Sequence, residues 1–208
     1  MTGFRIVLIL FFFFSSFLFS CEEEQEGCGP TYPYFEIQSL QPHNLKFTNQ
    51  RLNPWAEIEP AEVLNWQDYF IRVEFEATYI ASTPGYQQGA NLCALSCFEN
   101  GYAGSTVGLD ALTVITINEY NENYAAGDTV NDIVLTNDWT YLVEDYEEFV
   151  PVSQYIKDSE ETISDQTFEV RLTEAPQEDL STQQFKIVYH LENGDLFETI
   201  TDVVTLRE

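Results

Sequence analysis

Residues that could carry reaction chemistry are sparse. His43 and His190 are the only histidines in 208 residues. Neither belongs to a G-x-S-x-G, H-E-x-x-H, phosphate-loop or dinucleotide-fingerprint pattern, and none of these patterns occurs in the chain. His190 alternates with apolar neighbours and shares a face with Lys186, which reads as a surface histidine. His43 follows Pro42 and is expected in a loop. Glycosidases need only two carboxylates at suitable separation. With 35 Asp and Glu residues, such pairs arise without meaning. A non-catalytic protein is therefore expected.

Binding chemistry is better represented. Trp55, Trp66 and Trp139 are flat apolar surfaces on which a sugar ring could stack. Trp139 falls in a helical stripe and is expected in the core. Trp55, between Pro54 and an acidic stretch, is the best exposed candidate for glycan contact, and Trp66 lies just before a strong strand. The segment from Asn118 to Asp128 is rich in oxygen ligands and could hold a structural Ca²⁺. It lacks the EF-hand pattern, and such residues equally serve as turn formers.

These residues must be positioned mainly by strands. Tyr69, Ile71, Val73, Phe75, Ala77 and Tyr79 alternate with Phe70, Arg72, Glu74, Glu76 and Thr78, a period of two that places one face on a core and the other in water. Phe168, Val170 and Leu172 repeat it, as do Phe185, Ile187, Tyr189 and Leu191. Asn193-Gly194 supplies a turn before a strand expected from Leu196 to Leu206. A two-residue turn would oppose Tyr189 with Glu198. A three-residue loop, opposing Tyr189 with Thr199 and Leu191 with Phe197, keeps an apolar face together and is preferred.

Tyr34 to Leu40, Leu45 to Thr48 and Ala111 to Ile117 are further strands. The last is so β-branched that burial on both faces is expected. Trp139, Leu142, Val143, Tyr146, Phe149 and Val150 fall at helical spacing, with Asp138 placed to cap and Pro151 to stop the helix. The sum is an all-β protein, an antiparallel β-sandwich of immunoglobulin-like character with one helical insertion. Residues 34–208 are expected to form that single domain.

The amino terminus speaks to location. Arg5 precedes an apolar run from Ile6 to Phe14, then two serines and Phe17, Leu18 and Phe19. That is a signal-peptide pattern over residues 1–20, too short to span a bilayer as a helix. Ordinary signal peptidase favours small residues at −1 and −3, and Leu18 violates the second. Leu18-Phe19-Ser20-Cys21 instead resembles the bacterial lipobox, with Phe19 bulkier than usual. The resemblance implies lipidation of Cys21 as the first mature residue. The run Glu22-Glu23-Glu24-Gln25-Glu26 resembles the surface-export signal of Bacteroidota lipoproteins and equally suits an extended acidic tether over residues 21–33.

Removing residues 1–20 takes away Arg5 and no acid, moving the net charge from −27 to −28. Such a charge repels phosphate backbones, so nucleic acid is not an expected partner. A chain that is 44% hydrophobic still has ample material for a core.

With Cys21 lipidated, Cys28, Cys93 and Cys97 remain, and export to an oxidising space implies one disulfide. Cys93 and Cys97 are close in sequence, and a helical turn would bring them together while stapling little chain. Cys28 with Cys97 would tie the tether to the domain, and that pairing is preferred. Zinc is not expected, since no C-x-x-C is present and neither histidine lies near the thiols. Asp128-Thr129-Val130 resembles the short O-glycosylation motif of Bacteroidota, with Thr129 as acceptor.

Cys28-Gly29-Pro30, Tyr34-Phe35-Glu36-Ile37, the segment from Ala94 to Cys97, Thr113 to Gly127 and Phe185 to Leu206 together resemble small uncharacterised surface lipoproteins of the Bacteroidota. The resemblance implies an outer-membrane, lipid-anchored, surface-exposed β protein and adds nothing on chemistry. The lipid address, the acidic domain and the lack of a catalytic set make a non-catalytic binding or assembly module the expected function. The alternative, drawn from the tryptophans and from the tendency of similar lipoproteins to serve polysaccharide uptake, is a glycan-binding accessory of such a system.

Overall fold

The computed structural model describes residues 31–48, 55–59, 61–81, 99–138 and 149–208. The leader, Cys21, the cysteines Cys28, Cys93 and Cys97, and the stretch from Trp139 to Glu148 lie outside them. The chain divides into two compact units. Tyr32–Ser82 with Asn100–Glu208 form the one described below; of Met1–Thr31 with Thr83–Glu99, only Thr31 and Glu99 are described. Among the described residues no helix is long and apolar enough to cross a membrane.

The unit is mainly β with antiparallel sheets. Its strands are β1 (Tyr34–Phe47), β2 (Trp55–Glu57), β3 (Val63–Asn65), β4 (Tyr69–Ile80), β5 (Leu109–Thr116), β6 (Val134–Asp138), β7 (Val150–Pro151), β8 (Thr167–Leu172), β9 (Ser181–Gln183), β10 (Phe185–Leu191), β11 (Leu196–Ile200) and β12 (Val204–Arg207). One sheet runs β2-β1-β4-β8-β6-β7, a second β11-β10-β5 and a third β3-β12-β9. Counting the long strands A to G as β1, β4, β5, β6, β8, β10 and β11, the first two sheets read A-B-E-D and G-F-C. That is the strand order of an immunoglobulin constant-type sandwich. β12 pairs with β3 in parallel, and the other strand ladders described are antiparallel.

Alternation builds the core as expected. Tyr69, Ile71, Val73 and Phe75 of β4, Phe168, Val170 and Leu172 of β8, and Phe185, Ile187, Tyr189 and Leu191 of β10 are all buried. Aromatic rings join the two main sheets: Tyr189 of β10 lies 5.3 Å from Phe75 and 5.4 Å from Phe168. Offset and tilted ring pairs of this kind add about 0.5–1.5 kcal/mol beyond their buried area. β5 is buried on one face through Leu112, Val114 and Thr116 and only half-covered on the other, so its expected double burial holds for one side.

Several expectations are corrected. Tyr34 to Leu40 and Leu45 to Thr48 are one strand, β1, with an irregularity between Ile37 and Ser39. Pro42 fits inside it because β2 covers only Leu45 to Phe47, leaving one side of β1 at Pro42 free of a ladder that its missing N–H would break. His43 is consequently in a strand, opposite Arg72, rather than in a loop.

The carboxy-terminal strand is two strands. Thr201 donates its N–H to Phe185 O and accepts the Phe185 N–H at Oγ1, which ends β11 and releases the chain to pair with β3 and β9. The hairpin loop has the preferred three residues, but they are Glu192-Asn193-Gly194. Leu191 closes on Asp195, Gly194 takes φ +92°, and Tyr189 faces Phe197 rather than Thr199. The positive φ is what sets that register, since glycine adopts it without strain.

The expected helix falls mainly on Trp139 to Glu148, outside the described residues. Val150, expected in its last turn, pairs in β7, and a helix that the pattern did not announce, α1 (Val152–Asp158), starts after Pro151. Proline's fixed φ, here −56°, suits a helix entrance and not an interior. Val152 and Tyr155 form the buried stripe of α1, with the Tyr155 hydroxyl 3.2 Å from that of Tyr189. Leading into β5, Gly108 passes so near the Glu160 carbonyl that any Cβ would overlap it.

The turn before β3 carries strain. Glu62 donates its N–H to Glu59 O, and Ala61 sits at φ +64°. A Cβ disfavours that conformation, which glycine adopts freely. Ala61→Gly is expected to raise stability by up to about 1 kcal/mol, net of glycine's greater unfolded entropy. The readout is the thermal midpoint, and a lower midpoint would show that the turn is not strained.

Candidate functional site

The strongest site grows from the outward face of β4 and β8. Alternation assigned this face to water, yet Phe70 is only 5% exposed and Glu169 only 1%. The register explains both. Phe47 and Trp55 face each other across β1 and β2, with ring centroids 6.3 Å apart, and Trp55 packs edge-on to Phe70 at 5.5 Å.

Arg72, two residues along β4, lies opposite Glu169 of β8. Its guanidinium donates from Nε and Nη2 to one Glu169 oxygen at 3.2 and 2.9 Å, and its carbon sits 5.4 Å from the Trp55 ring centroid. A guanidinium at that distance over an indole face is attracted by the ring quadrupole. Arg72 therefore links the indole to a buried carboxylate.

A cleft of about 260 Å³ opens beside this cluster. Phe47, Trp55, Phe70 and Phe149 form its apolar wall; Gln67, Asp68 and Arg171 supply polar groups. Arg171 is itself held by donating to the Gln67 carbonyl at 3.3 Å. Flat rings beside planar amide, carboxylate and guanidinium groups suit a ligand with a C–H face and several hydroxyls. Binding pockets combine such apolar walls with a few fixed polar groups.

The other candidates fall elsewhere. Trp66 is half-buried against the hydrophobic core in a short 3₁₀ turn and does not line the cleft. Cys21, Cys28, Cys93, Cys97 and Trp139 lie outside the described residues. His190 is half-exposed with Nδ1 2.6 Å from Asp110 Oδ2, the surface histidine expected, while Lys186 pairs with Glu198 at 2.8 Å on the same face. His43 Nε2 lies 3.9 Å from a Glu74 oxygen.

In the oxygen-rich segment the side chains brace turns. Asn121 accepts the Asn123 N–H, Asp128 accepts the Ala125 N–H, and Tyr124 donates to Asp132. That last bond is the main cause that pushes the Tyr124 phenol up to about 12. Among the described residues no three His, Cys, Asp or Glu side chains gather as a metal site would require. Thr129 is exposed and bridges Ile115.

Arg72 and Glu169 were missed as site residues. Their opposite charges at outward positions of two strands were visible, but their pairing across 97 residues was not. Comparison with family profiles, with characterised proteins and with solved structures returns no match.

Proposed function

We propose that this chain is a lipid-anchored, non-catalytic binding module displayed at the outer-membrane surface, with the Trp55 cleft as a ligand site. The observation that carries the binding reading is the cleft itself: an opening with an aromatic wall, in which Trp55 is braced from behind by Arg72 and Arg171 is already held by the Gln67 carbonyl. Side chains fixed before binding lose less freedom on binding, which favours affinity. The lipobox-like Leu18 to Cys21 and the acidic run behind it support the anchor and the surface location. The net charge of −27 argues against nucleic acid as the ligand.

The same chemistry favours a saccharide as that ligand, a glycan-binding accessory role. Indole faces take sugar C–H surfaces, and Gln67, Asp68 and Arg171 can exchange hydrogen bonds with hydroxyls. The test is a glycan array followed by calorimetry on the whole chain. Saccharide binding is expected to weaken by roughly tenfold or more in Trp55→Ala, a loss of about 1.4 kcal/mol or more, and to persist in Trp66→Ala. Equal binding by wild type and Trp55→Ala would remove the cleft from the reading. Mass spectrometry of native protein is expected to find diacylglycerol on Cys21, and a free thiol there would remove the anchor.

A further inference from the structure

Strand β11 is the outer strand of its sheet. Leu191 donates to Asp195 O and Thr201 to Phe185 O at the two ends of its ladder with β10, and Tyr189 faces Phe197 between them. In an antiparallel ladder, hydrogen-bonded pairs alternate along the strands. Leu196, Glu198 and Ile200 therefore point their backbone N–H and C=O away from β10. No described strand pairs with that side.

Among the described residues no proline and no paired strand protects the edge. Natural edge strands are blunted by charge, proline or cover. Here Leu196 is 56% and Ile200 51% exposed, with Glu198 between them, paired with Lys186 at 2.8 Å. Between β11 and β1 lies a cleft of about 340 Å³, walled by Phe35, Ile37, Leu191 and Phe197. Glu36 and Asp195 are its charged groups, and no Lys, Arg or His lines it among the described residues.

We infer that the free edge of β11 is a strand-addition site for an extended segment of another polypeptide, one that alternates apolar and basic residues. This rests on the reading of the unit as a binding module and adds a second, protein-directed surface to it. Main-chain hydrogen bonds to Leu196, Glu198 and Ile200 would supply affinity, and side-chain alternation the specificity. Apolar residues of the incoming strand would meet Leu196 and Ile200 on one side, or the partly buried Phe197 on the other. Basic residues would meet Glu198, Glu36 and Asp195. A second copy of this chain is the poorer occupant, because its net charge of −27 repels itself.

The test uses the whole chain in detergent and two acetylated decapeptides of alternating Lys and Val, one plain and one N-methylated at every second residue. The two carry the same charge, so non-specific attraction to an acidic protein is equal. Fluorescence anisotropy is expected to show the plain peptide binding roughly tenfold tighter or better. Ile200→Pro removes an N–H that faces away from β10, so the ladder with β10 survives. It is expected to erase the difference between the peptides while keeping the thermal midpoint. Glu198→Lys, which leaves the backbone intact, is expected to weaken the plain peptide severalfold. Equal affinities for the two peptides in the wild-type chain, or self-association of the chain without peptide, would overturn the inference. A chain indifferent to both peptides that still shows Trp55-dependent saccharide binding would overturn the strand-addition site alone.

Discussion

Arg72→Met is expected to destabilise the protein by about 3 kcal/mol or more, measured as a shift in the urea midpoint at constant slope. The cause is the carboxylate left behind. Glu169 is 1% exposed and receives two hydrogen bonds from Arg72. Removing the guanidinium takes two donors and the compensating charge from a group that burial already penalises. Methionine keeps most of the stem's packing against Trp55, so the loss is electrostatic and not a cavity effect.

A companion variant decides the matter. Arg72→Met with Glu169→Leu removes both charges and is expected to recover much of the loss, since replacing a buried pair by apolar residues is often neutral or stabilising. A double variant no better than Arg72→Met alone would mean that Arg72 acts through packing. Because Arg72 also sits over the Trp55 ring, both variants are expected to weaken saccharide binding even where stability returns.

Strands with one covered face were legible because alternation is a local property. Tyr69 to Phe75, Phe168 to Leu172 and Phe185 to Leu191 could be read from their own residues. What covers the second face is not local. Phe70 and Glu169 sit at positions that alternation gives to solvent, and their burial depends on β2 folding back along β1 and on β4 meeting β8.

The same limit applies to punctuation. Pro151 is compatible with a helix end and a helix start, and only the chain on either side decides which. Asn193-Gly194 marked the hairpin, but the pairing was set by which residue took the positive φ. Trp55 is a candidate ligand contact from its flanks, which suggest exposure; the structure has it half-buried against Phe47 and Phe70. The arginine over its ring came from a strand whose register no local pattern announces.

Raising the pH above about 10 is expected to unfold the protein steeply, and buried phenols are the reason. Tyr69 is enclosed in the core, its hydroxyl donating to Asn44 Oδ1 at 2.8 Å; burial, then the nearby Tyr120, pushes its ionisation far above the ordinary tyrosine range. Tyr120 donates to the Glu174 carbonyl at 2.6 Å and is raised by burial and then by the Glu174 charge.

In the unfolded chain both phenols ionise near pH 10, whereas in the folded chain they stay protonated. The unfolded state therefore holds fewer protons there, and stability falls as pH rises. The contribution is fully present below about pH 10 and is lost on the way to the raised folded values. Each group costs about 1.4 kcal/mol per pH unit, so two cost roughly 3 kcal/mol per unit. A small domain has only about 5–15 kcal/mol to lose. Urea midpoints across the alkaline range, followed with phenolate absorbance, are expected to show the two buried phenols ionising only as the chain unfolds.

Repulsion among the acidic residues could mimic a weak fold, but it is already complete at neutral pH and is screened by salt. The phenol effect begins at about pH 10 and survives high ionic strength. Tyr69→Phe is expected to lower stability at neutral pH through the lost hydrogen bond to Asn44, and to reduce the alkaline slope by about 1.4 kcal/mol per pH unit. An unchanged slope in that variant would show that Tyr69 ionises freely and is not sealed in the core.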